Sequence, residues 1–241
     1  MIMLKEKGLK TMTRLLKISA LTISFVFISC EIPENLNDNP NDLTVSDVDA
    51  NLFLNGAQLA NNIVQVSHLN RISGMFSGQL VGYASLYSNI YGYSLSTVET
   101  NGEWNRAYIG VVANTRHIIE SAPSDKLLVG IAMILEAHAI STLAILTGDI
   151  PYSEMLTLND SPKFDNQKDV LTECLTLLSG GIDELAQATS RSEPFDLYFN
   201  GDKDKWVSAA YTLKARINLV MKDYAAALSD AGMGISSSSG D

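Results

Sequence analysis

The sequence predicts an all-α fold, and three observations predict it. From residue 51 onward, apolar residues recur every three or four positions, the spacing of one helical face. Glycine, proline and Asx residues gather between these stretches, where turns are needed. The longest stretch also carries Ala132, Ala137, Ala139 and Ala144, small enough to let helices approach closely.

Taken in chain order, the first helix is "ANLFLNGAQLANNIVQV", whose Leu52, Leu59, Ile63 and Val66 stand seven, four and three residues apart and predict the amphipathic stripe, with Asp49 as its cap. Next comes "SGMFSGQLVGYASLYSNIYGYSLSTVETNGEW", in which Gly74, Gly78, Gly82 and Gly92 alternate with Tyr and Ser; it predicts an irregular Tyr/Gly-rich loop region. Helical pattern resumes in "WNRAYIGVVANTRHIIESA", with Trp104, Tyr108, Val111, Val112, Ile118 and Ile119 mainly on one side, and Pro123 breaks it. Leu127, Ile131, Leu135, Ala139, Thr142 and Leu146 mark a further helix that Gly148 stops. Val170, Leu171, Leu175, Leu178, Ile182 and Leu185 define another over about 166–189, where Gly180 and Gly181 predict a kink or break. Trp206, Ala210, Leu213, Ile217 and Val220 form the stripe of a helix from Lys203 to Met221, and "KDYAAALSDAGMGI" opens one more. Helices in alternating pairs predict tetratricopeptide-like helix pairs, whose period is about 34 residues, although the spacing here is longer and irregular. Each such repeat buries its apolar face against a neighbour. The last helix stands unpartnered before "SSSSGD", so a helical domain over 49–241, incomplete at its C-terminus, is expected.

Ahead of that domain, Lys5, Lys7, Lys10, Arg14 and Lys17 form a basic leader with Glu6 its only acid. The apolar run Ile18–Ser29 that follows is shorter than the ~20 residues of a spanning helix and fits the core of an export signal. Ser29 before Cys30 resembles a bacterial lipobox, with Phe27 in place of the usual Leu three positions before the cysteine. On that reading residues 1–29 are a lipoprotein signal peptide, and Cys30 is the lipid attachment point of a multiply acylated (palmitate-type) anchor, because one chain alone binds only marginally. The other reading is an ordinary secretory signal with an incidental cysteine. Residues 30–48, dense in Asn, Asp and Pro, predict an extended tether. The alternating Asn37, Asn39 and Asn41 are not a calcium loop, since Asp42 and Val48 stand where Gly and Glu are required.

Charge narrows the function classes. The first 30 residues carry five basic groups and one acidic group, leaving twelve basic and 26 acidic in residues 31–241, a net −14. Such a surface repels phosphate backbones, and no basic stripe is present, so nucleic acid is excluded as a partner. Anionic headgroups are equally unattractive, which leaves Cys30 as the membrane attachment. Cys174 lies among helical apolar positions and is expected to be an inert buried thiol. His68, His117 and His138 lack ligand spacing, so no metal is expected, and no phosphate loop or Gly-x-Ser-x-Gly elbow implies a cofactor or a nucleophile. Carboxylate pairs such as Glu99/Glu103 or Asp149/Glu154 arise by chance among so many acids. The protein is expected not to be an enzyme.

Three stretches carry most pattern: "EWNRAYIGVVANTRHII" (103–119), "GDIPYSEML" (148–156) with the following "SPKFDNQ", and "GDKDKWVSAAYTLKARINL" (201–219). Together they resemble the SusD/RagB family of outer-membrane nutrient-binding lipoproteins, over residues 30–235 and the N-terminal half of a typical member. In that family a helix ends in a Gly-Asp-x-Pro-Tyr turn, a Pro-x-x-Asp segment follows, and a Gly-Asp…Lys-Trp…Leu-x-x-Arg helix comes later. The resemblance implies a lipid-anchored protein at the cell surface of the outer membrane. It would bind an oligosaccharide or polysaccharide and pass it to a TonB-dependent (SusC-like) transporter. The alternative is a membrane-anchored helical-repeat interaction module that binds no glycan.

Sugar capture needs exposed aromatic faces beside hydrogen-bonding groups. Tyr87, Asn89, Tyr91, Tyr93 and Asn101, with Tyr83 nearby, are the candidate ligand residues, because that segment alone is irregular, aromatic and polar together. The competing reading is that these tyrosines merely cap the helical body. The motif residues themselves are expected to be structural: Gly148 and Pro151 set the turn, Tyr152 folds back as an apolar plug with a hydroxyl handle, Trp206 is core, and Arg216 pairs with Asp149 or Asp183.

Overall fold

Residues 48–155 and 161–237 are described by the computed structural model. Cys30, the leader 1–29 and all but the last residue of the expected tether lie outside the described residues.

The fold is all-α. Among the described residues there is no strand, only an isolated antiparallel bridge between Ile150 and Asp165. Chain order gives α1 (Ala50–Val66), α2 (His68–Phe76), α3 (Ser85–Tyr91), a 3-10 turn (Thr97–Thr100), α4 (Asn101–Asn105), a π-helical stretch (Arg106–Val112), α5 (Ala113–Ser121), α6 (Lys126–Thr147), α7 (Gln167–Gln187), α8 (Lys203–Val220) and α9 (Tyr224–Ala231). Side-chain caps start most of the long helices. Asp49 accepts from the Asn51 N–H, Asp125 from Leu128, Asn166 from Lys168, Asp202 from Asp204 and Lys205, and Asp223 from Ala226. The α1 helix packs on the π-helical stretch and α5, α6 on α7, and α8 on α9, with α5–α6 and α7–α8 contacts joining the pairs. This is the predicted helix-pair architecture.

The centre is α6, buried on almost every side from Leu127 to Ala144. It is the one helix among the described residues long and apolar enough to cross a membrane, but 83% of its apolar window is buried inside the body, which makes it a core helix.

Four expectations need correction. First, the predicted stripe of α1 faces outward: Leu52, Leu59, Ile63 and Val66 are all exposed, while Leu54, Ala57, Gln58, Asn61 and Val64 form the buried face. The reason is a polar seam. The Gln58 Nε2 donates to Asp196 (2.9 Å), Gln58 Oε1 accepts from the Leu197 N–H (2.6 Å), the Asn61 amide meets His138 Nδ1 (3.2 Å), and Gln65 Oε1 accepts from Thr142 Oγ1 (3.0 Å). Buried amides need partners, and these amides find them on α6 and the 188–202 segment, which turns α1 through half a revolution.

Second, Gly180 and Gly181 do not break α7, which runs unbroken to Gln187. Gly181 and Gly130 instead let α6 and α7 touch: a Cβ on Gly130 would lie 2.9 Å from the Gly181 carbonyl and 2.7 Å from Leu185 Cγ. Third, the 101–121 rod contains π-helical geometry at Arg106–Val112, which a 3.6-residue pattern does not reveal. Fourth, Arg216 is exposed and pairs with neither Asp149 nor Asp183. The Asp149 carboxylate accepts the Gln167 N–H instead (2.8 Å).

Candidate functional site

The Tyr/Gly segment is more ordered than its composition predicts, because α3 forms within it. Gly82 makes the fold-back possible: a Cβ there would lie 2.0 Å from the Tyr87 carbonyl oxygen. Ser85 (φ 54°) and Tyr93 (φ 61°), at the two ends of α3, adopt left-handed backbone. That conformation is costly for a bulky side chain and is kept where the surroundings demand it. Past the α3 C-terminus, the Tyr93 N–H donates to the Ile90 carbonyl and the Ser94 N–H to that of Asn89, closing the helix with tyrosine where glycine usually stands.

Two aromatic groupings result. Tyr93 is 77% exposed and stacks on Phe76 of α2, ring centroids 5.3 Å apart and planes 11° from parallel. Beside Tyr87 a cavity of ≈ 290 Å³ is lined by Arg71, Met75, Leu80, Val81, Tyr83 and Tyr87. The Arg71 Nη1 donates to the Tyr87 hydroxyl (2.5 Å), and its guanidinium carbon lies 5.7 Å from that ring's centroid. His68 is buried alongside, its ring 6.0 Å from Tyr87 and its Nε2 without a partner. Tyr83 is 89% exposed at the cavity wall.

Of the predicted ligand residues, the structure thus brings Tyr87 to the cavity and Tyr93 onto Phe76. Tyr91, Asn89 and Asn101 are exposed, and no side-chain hydrogen bond or ring contact joins them to the others. Arg71 and Phe76 escaped the sequence reading, because α2 straddles the gap after the first helix and the start of the segment read as irregular from Ser73; a nine-residue amphipathic run, "HLNRISGMF", was the signal available.

A larger cavity, ≈ 560 Å³, lies instead beside the Gly-Asp-x-Pro-Tyr turn. Gly148 (φ 91°) stops α6 as predicted, and the Pro151 carbonyl accepts the Tyr108 hydroxyl (2.7 Å). Tyr152 folds back as the predicted plug, its hydroxyl donating to Glu136 Oε1 (2.9 Å). Glu136 is buried yet satisfied, also accepting from Thr115 Oγ1 (3.1 Å) and from Arg116 Nε and Nη2 (3.1 and 3.0 Å). Burial first, and the Glu136 charge second, push the Tyr152 phenol well above its ordinary range. Burial also opposes ionisation of Asp165, but the Ser153 and Tyr152 N–H groups outweigh it and hold that carboxyl below the usual range. Glu120, Asp169 and Glu173 also line it, with Ile119, Val170 and Leu177 as its apolar wall, and the one cation of the lining, Arg116, is committed to Glu136. With every central group satisfied internally, this turn is structural.

The Gly-Asp…Lys-Trp motif is structural too. Gly201 (φ 78°) sits against the Arg191 carbonyl, Asp202 caps α8, and Trp206 is core, as predicted. Its Nε1 donates to Asp196 Oδ2 (2.7 Å), the carboxylate that also receives Gln58 and the Gly201 N–H. Cys174 is buried and free, its thiol pushed up to about 12, chiefly by desolvation. No group of three or more His, Cys, Asp or Glu side chains is placed to hold a metal among the described residues.

Comparison with known proteins places this geometry. Residues 40–235 match the SusD-like family described as starch-binding and associating with the outer membrane. Similar solved structures include a SusD/RagB family protein from Bacteroides thetaiotaomicron, with 22% identity and TM-score 0.72 over 80% of this chain and 44% of that one. Another is a SusD-like protein from the same organism (22% identity, TM-score 0.65, 78% and 42% covered). A third is a chitin-binding SusD homologue from Flavobacterium johnsoniae (21% identity, TM-score 0.58, 76% and 43% covered). The chain spans less than half the length of these structures. No curated protein matches the chain.

Proposed function

The chain belongs to the SusD-like family, and on that premise we propose that it binds an oligosaccharide or polysaccharide at the cell surface and delivers it to a TonB-dependent outer-membrane transporter. The observation that carries the binding part is the exposed aromatic surface of α2 and α3. The stacked Phe76–Tyr93 pair and the rings of Tyr83 and Tyr91 offer apolar faces to solvent, and the Arg71 guanidinium lies beside Tyr83 and Tyr87 in the cavity lining. A flat ring face with donors at its edge suits a pyranose, which presents C–H groups on one side and hydroxyls around its rim. Retention of the protein in affinity electrophoresis through polysaccharide gels tests this. The combined Tyr87→Ala, Tyr91→Ala and Tyr93→Ala variant should lose retention, and unchanged retention would remove this surface from the site.

Anchoring belongs to the same proposal: Cys30 carries the acyl chains that hold the protein on the outer membrane. Cys30→Ala should move it from the membrane to the soluble fraction, and persistence in the membrane would favour another mode of attachment.

A second reading, a helical module that docks on protein, is favoured by the outward row Leu52, Leu59, Ile63 and Val66, four exposed apolar side chains on one face of α1. The two readings are compatible, since delivery to a transporter itself requires docking. Leu59→Asp with Ile63→Asp should weaken transporter association and leave glycan retention unchanged.

A further inference from the structure

The cavity beside Tyr87 contains one charged side chain, Arg71, and no carboxylate. This is unusual for the chain, whose net charge is −10. Several other cations among the described residues are answered by acids, among them Arg106 by Glu103, Arg116 by Glu136, Lys126 by Glu184, and Arg191 by Asp125 and Glu193, whereas Arg71, like Lys205 and Arg216, forms no ion pair. The side chain of Arg71 has a single neutral partner, the Tyr87 hydroxyl on Nη1. That contact and the Tyr87 ring, 5.7 Å from the guanidinium carbon, hold the fork in place while its remaining N–H donors stay unclaimed. A guanidinium pre-set on a ring loses little freedom when it binds, and its geometry matches two oxygens of one anion better than scattered hydroxyls.

The walls around it are apolar: Met75, Leu80, Val81 and Ala84. No carboxylate among the lining residues competes for the charge. Long-range repulsion from the acidic remainder of the chain fades beyond ~8 Å at physiological salt, so contact at the cavity decides the outcome.

Resting on the glycan-binding reading above, we propose that the ligand is an acidic glycan. An anionic group on a sugar ring, a carboxylate or a sulfate ester, is received by the Arg71 fork, while an adjacent ring face lies on the exposed aromatic surface. Arg71 is then the residue that selects charged over neutral glycans.

The test is affinity electrophoresis of the full chain against matched pairs of polymers: polygalacturonate and its methyl ester, and dextran sulfate and dextran. Retention by polygalacturonate with loss on esterification identifies a carboxylate ligand; retention by dextran sulfate with none by dextran identifies a sulfate ligand. Arg71→Gln, which keeps a donor for the Tyr87 hydroxyl, should weaken binding of the retained acidic polymer about tenfold or more, as expected for losing one charge-assisted bidentate contact. Arg71→Lys should recover part of it. Circular dichroism melting of both variants should match the parent, because Arg71 is exposed. Equal retention by the charged and neutral member of each pair, or full acidic retention by Arg71→Gln, would overturn the proposal yet leave glycan binding standing. Retention by none of the four polymers would overturn it together with the glycan-binding reading.

Discussion

Replacing Tyr93 by glycine separates a binding ring from a structural one, because the structure gives the two roles opposite consequences. Tyr93 holds φ at 61°, where an L side chain carries a penalty of about 1–2 kcal/mol that glycine does not. Against that gain stands the stack on Phe76, worth about 0.5–1.5 kcal/mol for an aromatic pair. Little apolar burial is lost besides, since the side chain is 77% exposed. The two terms nearly cancel, so Tyr93→Gly should unfold in urea within about 1 kcal/mol of the parent. Ligand binding should respond differently. Covering one ring face removes ~80 Å² of apolar surface from water, about 2 kcal/mol at 25 cal/mol per Å², so its loss should weaken glycan retention by about thirtyfold. Tyr93→Phe, which keeps the ring and the strain, should bind nearly as the parent does. A stability loss above 2 kcal/mol with proportionate loss of binding would show the ring to be a prop for the loop. Parent-like affinity in the glycine variant would take Tyr93 out of the site altogether.

Other substitutions test the body. Gly130→Ala forces a Cβ against the Gly181 carbonyl and Leu185 and should cost about 1–3 kcal/mol in urea unfolding, whereas Gly180→Ala meets only the flexible end of Met133 and should be neutral or stabilising by up to about 1 kcal/mol; equal effects would refute the close-contact role. Tyr152→Phe removes one hydrogen bond to buried Glu136 and should cost about 1–2 kcal/mol, and an unchanged midpoint would show the plug to act by packing alone. Stability should also fall with acidification through His138, whose pKa is depressed to about 4 by burial and by the Arg216 charge. The unfolded chain binds that proton near pH 6.5, so the contribution of neutral His138 is complete above ~6.5 and is lost as pH falls towards 4, up to about 3 kcal/mol in all. His138→Gln should flatten that part of the pH–stability curve, and an undiminished slope would assign it to other groups.

The long helices, the Asp49 cap and the Gly-Asp-x-Pro-Tyr turn were legible because each is written within a few neighbouring residues. Gly148 stops α6, Asp49 caps α1, and Tyr152 folds back as its motif implies. The candidate surface was legible only in part. Tyrosine density pointed to Tyr87 and Tyr93, but their companions Arg71 and Phe76 come from a different helix, and nothing in local composition joins them. The π-helical stretch was silent because its apolar positions also satisfy an α-helical spacing.

By itself the sequence determined the all-α class, the approximate extent of the long helices and the family motifs, since propensity, capping and periodicity are local quantities, while the short helices α2 and α3 were not read from it. Tertiary structure decided which face of each element is inside. On α1 the apolar row Leu52, Leu59, Ile63 and Val66 lost the core to Gln58 and Asn61, whose amides reach partners 138 and 77 residues away. A buried amide is costly until it meets its partner, and only the assembled fold supplies one. The same holds for Gly130 and Gly181, which read as flexibility in one dimension and as contact in three.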